Sequence, residues 1–179
     1  KVHLSANNQV ENTGLINSNG LTLIETGQKI QNLGTGQIYG DHIALQTSQL
    51  LNAEQQTAEG TKSAVIAARE RLDIAAQQIE NREQALLSSE NQLAIGGKLN
   101  QNHLAEGAAQ SLDNASARIQ SAGDMYLSVN TLTNRNLHFS SSEKEVPNSR
   151  EQVIAYQGSG SNEILDASNN TGASVKKKE

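Results

Sequence analysis

One short phrase constrains this chain more than any other feature: an apolar residue, then any residue, then Asn, returning about every twenty residues. It occurs as Val10-Glu11-Asn12, Ile30-Gln31-Asn32, Leu50-Leu51-Asn52, Ile79-Glu80-Asn81, Leu112-Asp113-Asn114 and Leu132-Thr133-Asn134. The steps from Asn12 to Asn32, Asn32 to Asn52 and Asn114 to Asn134 are each twenty residues. Self-similarity at such a period marks a stacked repeat array rather than a globular enzyme.

Inside each unit the apolar residues alternate, as in Ile43-Ala44-Leu45, Leu72-Asp73-Ile74, Leu93-Ala94-Ile95 and Met125-Tyr126-Leu127. Period two is the pattern of strands with one buried face. A second alternating pair sits elsewhere in the unit, as in Ile16-Asn17-Ser18, Ile38-Tyr39-Gly40, Leu86-Leu87-Ser88 and Ile119-Gln120-Ser121. Each unit therefore reads as two or three short strands joined by tight turns. A twenty-residue unit has too few apolar side chains to make a core alone, so burial must come from stacking unit on unit. The expected fold is all-β, a right-handed parallel β-helix of about twenty-residue coils. At the strand spacing of about 4.8 Å, roughly seven coils would make a rod of about 30–35 Å.

The recurring Asn12, Asn32, Asn52, Asn81, Asn114 and Asn134 are structural turn positions in this reading. An Asn side chain bonds nearby backbone groups and tolerates left-handed dihedrals. Stacked in register, the amides can also bond one another, as in cross-β Asn ladders.

Composition supports a solenoid. Aromatics are 2% of the chain, with a single Phe and no Trp, whereas large aromatics dominate most globular cores. The absence of Cys excludes a disulfide scaffold and a thiolate metal site. A net charge of −5 without a basic stripe lacks the electrostatic footprint of a nucleic-acid binder. No apolar run approaches a membrane span, and the chain begins inside what reads as a repeat, as a piece of something longer would.

The period is broken in three places. Ala53 to Gly60 is polar and stretches the step between Asn52 and Asn81 to twenty-nine residues, which predicts an insertion near 53–64 before Ala64-Val65-Ile66 resumes the repeat. A helix over 58–87 is the rival, because that stretch is rich in Ala, Glu, Gln, Arg and Leu. Lys98 to Gly107 blurs the repeat and predicts a shortened or distorted coil, with Asn102 as a degenerate copy of the repeated Asn. After Asn134 the period stops, so the rod is expected over 1–134. Residues 135–179 read as loop, hairpin and polar tail, a possible cap. Within them His138 to Arg150 is a loop containing Pro147, Val153-Ile154-Ala155-Tyr156 and Glu163-Ile164-Leu165 could pair as a hairpin, and Asp166 to Glu179 is the tail.

Units such as Ile30-Gln31-Asn32-Leu33-Gly34-Thr35-Gly36-Gln37-Ile38 followed by Ile43-Ala44-Leu45 resemble the repeats of filamentous haemagglutinins, the long exoproteins of bacterial two-partner secretion. The resemblance covers about Val10 to Asn134, and Glu151 to Ser161 is also similar to a segment that follows such repeats. It implies a secreted or cell-surface filament of a Gram-negative bacterium, exported through an outer-membrane transporter partner. Such a filament mediates attachment to a host or bacterial cell-surface receptor. The alternative within the same architecture is the stalk of a contact-dependent growth-inhibition toxin-delivery protein.

The residues offer little for catalysis, and no enzymatic activity, cofactor or metal is expected. The four histidines, His3, His42, His103 and His138, lack metal-ligand spacing. Asp41-His42 reads as a solvated turn, and Glu11, Glu80 and Asp113 as solvent-facing residues before the Asn. Gly158-Ser159-Gly160 lacks the strand-to-helix context of a phosphate loop. A β-helical polysaccharide-cleaving enzyme would need clustered acids and aromatic platforms, and the chain has three tyrosines. No ligand-binding residue can be named from the sequence.

Overall fold

In a computed structural model of the protein, the residues described are 1–142 and three further strands at 155–158, 164–166 and 175–177. The protein is all-β, with no helix among the described residues. Lys1–Phe139 and Ser140–Glu179 form two separate units.

In chain order the strands of the first unit are β1 Val2–Ala6, β2 Gln9–Asn12, β3 Leu15–Asn17, β4 Leu21–Thr26, β5 Lys29–Leu33, β6 Gln37–Thr57, β7 Gly60–Ser63, β8 Val65–Arg82, β9 Leu86–Ser89, β10 Gln92–Gly96, β11 Lys98–Leu99, β12 Ala105–Glu106, β13 Ala109–Ala115, β14 Arg118–Ser121, β15 Met125–Leu127 and β16 Val129–Arg135. Apart from the β6–β7 and β11–β12 hairpins, they pair in parallel, in three ladders. The first runs through β1, β4, β6, β8, β10 and β15. In the second, β2, β5, β6, β8, β13 and β16 follow one another. The third joins β3, β6, β8, β9 and β14. The chain visits the ladders in that order on every pass. Long strands β6 and β8 contribute to all three, so they bend rather than run straight.

These registers are what stacked coils require, and they explain the period. The repeated phrase recurs because residues one pass apart are Cα partners: Val10, Ile30, Leu50, Ile79, Leu112 and Leu132 form one column. Leu4, Ile24, Leu45, Ile74, Ile95 and Leu127 form a second, and Ile16, Ile38, Ile66, Leu87 and Ile119 a third. Together they supply most of one continuous apolar core. Fully burying each such side chain stabilises by about 1.5–3 kcal/mol, and only the passes above and below can do it. Position in the column shows the dependence: Leu50, stacked on both sides, is 2% exposed, whereas Leu132, with no described residue stacked beyond it, is 53% exposed.

Among the described residues six passes are made, not the roughly seven expected, because two hairpins consume residues without adding a coil. The insertion after Asn52 is the antiparallel pair of β6 and β7, with Glu54 to Thr57 facing Gly60 to Ser63. The distorted coil expected over Lys98 to Gly107 is instead a second antiparallel hairpin, β11 with β12, and Asn102 lies at its tip rather than in the Asn column. Gly96 and Gly97 make that excursion possible: a Cβ on either would press into the backbone of Glu106 or Ala108. The helix considered over 58–87 does not form. Parallel pairing on both sides of β8 satisfies its backbone groups and overrides the helix propensity of its Ala, Glu and Arg residues.

The second unit contains β17 Ala155–Gly158, β18 Ile164–Asp166 and β19 Val175–Lys177, with β17 pairing antiparallel to both others. One strand therefore lies in the stretch expected to be only a polar tail. Most of the loop expected over His138 to Arg150, and Val153 and Ile154 of the expected hairpin, lie outside the described residues.

Candidate functional site

Two polar arrangements stand out against the apolar core. The first is the Asn column. Each Nδ2 donates to the Oδ1 of the next pass: Asn12 to Asn32 at 2.8 Å, Asn32 to Asn52, Asn52 to Asn81 and Asn81 to Asn114 at 2.9 Å, and Asn114 to Asn134 at 2.8 Å. From Asn12 to Asn114 these side chains are buried. The amides also hold the turn that follows them, through Asn32 to Gly36 O at 3.2 Å, Asn81 to Ala85 O at 3.5 Å and Asn114 to Ala117 O at 2.9 Å. A buried amide left unpaired costs about 1–3 kcal/mol, so each link depends on its neighbours. Gly36 belongs to the same device, since a Cβ there would collide with Asn12 O and Asn32 Oδ1. Among the described residues the positive-φ non-glycine residues are Glu83, Gln84, His103 and Ser116. The Asn residues therefore do not use the left-handed tolerance expected of them; Glu83, Gln84 and Ser116 take those turns.

The second arrangement centres on Asp73, which alternation places on the outer face between inward Leu72 and Ile74. Its side chain is nevertheless 0% exposed. Oδ2 receives His42 Nε2 at 2.9 Å and Arg71 Nε at 2.6 Å; Oδ1 receives Arg71 Nη2 at 3.1 Å and the Ala105 amide at 2.8 Å. Burial pushes this carboxyl up, but the hydrogen bonds from His42, Arg71 and Ala105 outweigh it and hold it below its ordinary value. Arg71 Nη1 also reaches Gln92 Oε1.

The Ala105 contact shows what covers the carboxylate. The β11–β12 hairpin folds back over the outer face of the first ladder, where Gln46 Oε1 accepts the Leu99 amide at 2.8 Å. The outward column Leu23, Ala44, Asp73, Ala94 is buried as a result, at 2%, 0%, 0% and 5% exposure. His42 is thus partly buried and hydrogen-bonded to Asp73, not in the solvated turn expected of Asp41-His42, while Asp41 pairs with Arg69 at 2.5 Å. The Asp73 oxygens already accept four hydrogen bonds, close to the capacity of a carboxylate. Chemically the cluster is a clamp that fastens a hairpin.

Sequence reasoning missed Asp73, Arg71 and Gln46 because their burial comes from residues more than twenty positions downstream. The Gly96-Gly97 pair was the available signal, since glycine in a strand often marks close backbone approach.

Glu80 and Asp113 remain partly exposed and pair with Arg82 at 2.9 Å and Arg135 at 2.6 Å. Hollows on the described surface include two beside polar side chains. One, about 200 Å³, runs along the second ladder past Lys29, Gln49, Gln78, Glu80 and Ser111. The other, about 740 Å³, opens at the last pass beside Gln84, Ser116, Arg118, Asn134, Arg135 and His138. Among the described residues no three His, Asp or Glu side chains converge as a metal site would require, and no helix is long and apolar enough to cross a membrane. No family model, curated protein or solved structure gives a significant match to this chain.

Proposed function

We propose that this chain is a structural and adhesive segment of a bacterial surface filament, secreted through an outer-membrane transporter partner and contacting a receptor on host or neighbouring cells. The observation that carries the reading is the in-register column of asparagines across six passes, buried in the first five. A column of this kind extends a structure by repetition and sets its register, which suits a spacer between a cell and a distal contact. Stacking also suits export, because each pass can fold on the one before it as the chain emerges. The likeness of the repeat units to filamentous haemagglutinins supports the same role.

The test is attachment. Beads coated with the purified chain should bind host epithelial or bacterial cells saturably, in competition with soluble chain. Beads that bind no better than albumin-coated ones would remove the adhesive part of the reading.

A further inference from the structure

The sixth pass is incomplete. Among the described residues five strands stack in the third ladder, none follows β16 into it, and β14 is paired only with β9. The amide column marks the vacancy. In each earlier pass Nδ2 also donates to the first carbonyl of the next third-ladder strand: Asn12 to Gln37 O at 3.4 Å, Asn32 to Val65 O at 3.0 Å, Asn52 to Leu86 O at 3.0 Å, Asn81 to Arg118 O at 2.9 Å. Asn114 has no such carbonyl to meet and bonds only Asn134 and its own turn.

The sequence supplies the missing strand. The twenty-residue shift that pairs Asn114 with Asn134 sets His138-Phe139-Ser140-Ser141 against Arg118-Ile119-Gln120-Ser121, and Leu86-Leu87-Ser88-Ser89 has the same form, apolar second and Ser fourth. The same shift puts Asn136 on Ser116, whose φ is +51°, a conformation Asn tolerates better than most residues. Yet Phe139 is 77% exposed, and His138 reaches across to Glu83 Oε2 at 2.7 Å. The 740 Å³ hollow beside Arg118, Asn134 and His138 lies where the strand would begin, and Ile119 lines another of about 170 Å³ with Met125 and Leu127.

We propose that His138-Phe139 is a strap that docks on the free edge of β14, laying Phe139 over Ile119 and closing the open end of the core. In the docked state Asn114 Nδ2 meets His138 O, as Asn81 meets Arg118 O. The His138 amide then donates to Ala117 O, as the Arg118 amide donates to Ala85 O. What holds the strap away is the contact of exposed His138 with partly buried Glu83 and the bond from the His138 amide to Asn136 Oδ1 at 2.9 Å; what draws it in is the burial of a phenyl ring beside Ile119, Met125 and Leu127.

The test uses Phe139→Trp in the 179-residue chain, which has no other Trp. Docking predicts blue-shifted emission and acrylamide quenching at least about threefold slower than for free N-acetyltryptophanamide, as an indole withdrawn from water requires. Adding Ile119→Asp should restore red emission and fast quenching while the far-ultraviolet β signal persists. Should that charge unfold the last pass, Ile119→Ala gives the same comparison with a milder change, and quenching should then lie between the two extremes. An exposed indole in the single variant overturns the proposal, as does a buried one indifferent to residue 119.

Discussion

The two hairpins that interrupt the repeat are built alike and held differently. The β6–β7 hairpin leaves the second ladder, exposes its tip, and is tied down by Arg82 to Glu54 at 3.0 Å, a pair between partly exposed side chains. The β11–β12 hairpin leaves the first ladder and turns back over it, and its backbone is bound by a buried carboxylate and by Gln46. One insertion adds surface; the other converts an outer strand face into a second buried layer. The difference teaches that a coil can absorb nine to thirteen extra residues, as the Asn-to-Asn steps of 29 and 33 against 20 show, without losing register, and that an insertion becomes part of the core only when polar groups beneath it receive its backbone.

That contrast can be broken most forcefully at Asp73. Asp73→Ala strands Arg71 and His42 without their acceptor and should cost about 3–5 kcal/mol in urea unfolding, as loss of one partner from a buried ion pair does. Glu54→Ala, its counterpart on the other hairpin, should cost no more than about 1 kcal/mol. Similar losses at the two sites would mean that the clamp is not the difference between them.

Next in size is excision. Replacing residues 98–105 by a short glycine link uncovers Leu23, Ala44 and Ala94 and should cost about 2 kcal/mol in lost apolar burial. Excising 55–62 removes little buried surface and should stay within about 0.5 kcal/mol.

A smaller effect is expected at Gln46. As an outward strand residue it would tolerate Asp, but its Oε1 accepts the Leu99 amide. Gln46→Ala should therefore cost about 1 kcal/mol and raise hydrogen exchange at Leu99 while leaving the hairpin of 54–63 unchanged.

The smallest effect is one of pH. Because the folded Asp73 carboxyl lies below its ordinary value of 3.8, its contribution is complete above that value and is lost as pH falls below it through the folded pKa. Amides of the β11–β12 hairpin should lose protection in that acid window, and Asp73→Asn should abolish the step. A hairpin that loosens over the same pH range in Asp73→Asn would mean that another group governs it.

Much of the fold was legible because stacking repeats one environment. Leu45, Leu50 and Asn52 recur as Ile74, Ile79 and Asn81 since each occupies the same place one pass later, and a pattern set by Cα partners appears directly as a period. Local propensity misled over Ala58 to Leu87, where long-range pairing decides the backbone. What could not be read was anything created by a contact outside the period. Asp73 looks like any outward strand residue until Ala105 reaches it, and Leu99 and Leu104 look like remnants of a coil until their hairpin is seen to turn back. The asparagines were legible as a column, but their part in the turns is hydrogen bonding rather than a left-handed backbone.

The central claim is that successive passes stack in register along one axis. Spin labels placed pairwise on the outward column Glu11, Glu80, Asp113 and Thr133 test it directly, because these residues lie three, four and five steps apart by register. Pulsed electron resonance should give distances from position 11 that rise in equal increments of about 4.8 Å, to a backbone separation of about 24 Å at position 133. Distances that rise unevenly, or that place positions 11 and 133 no farther apart than 11 and 80, would contradict stacked coils.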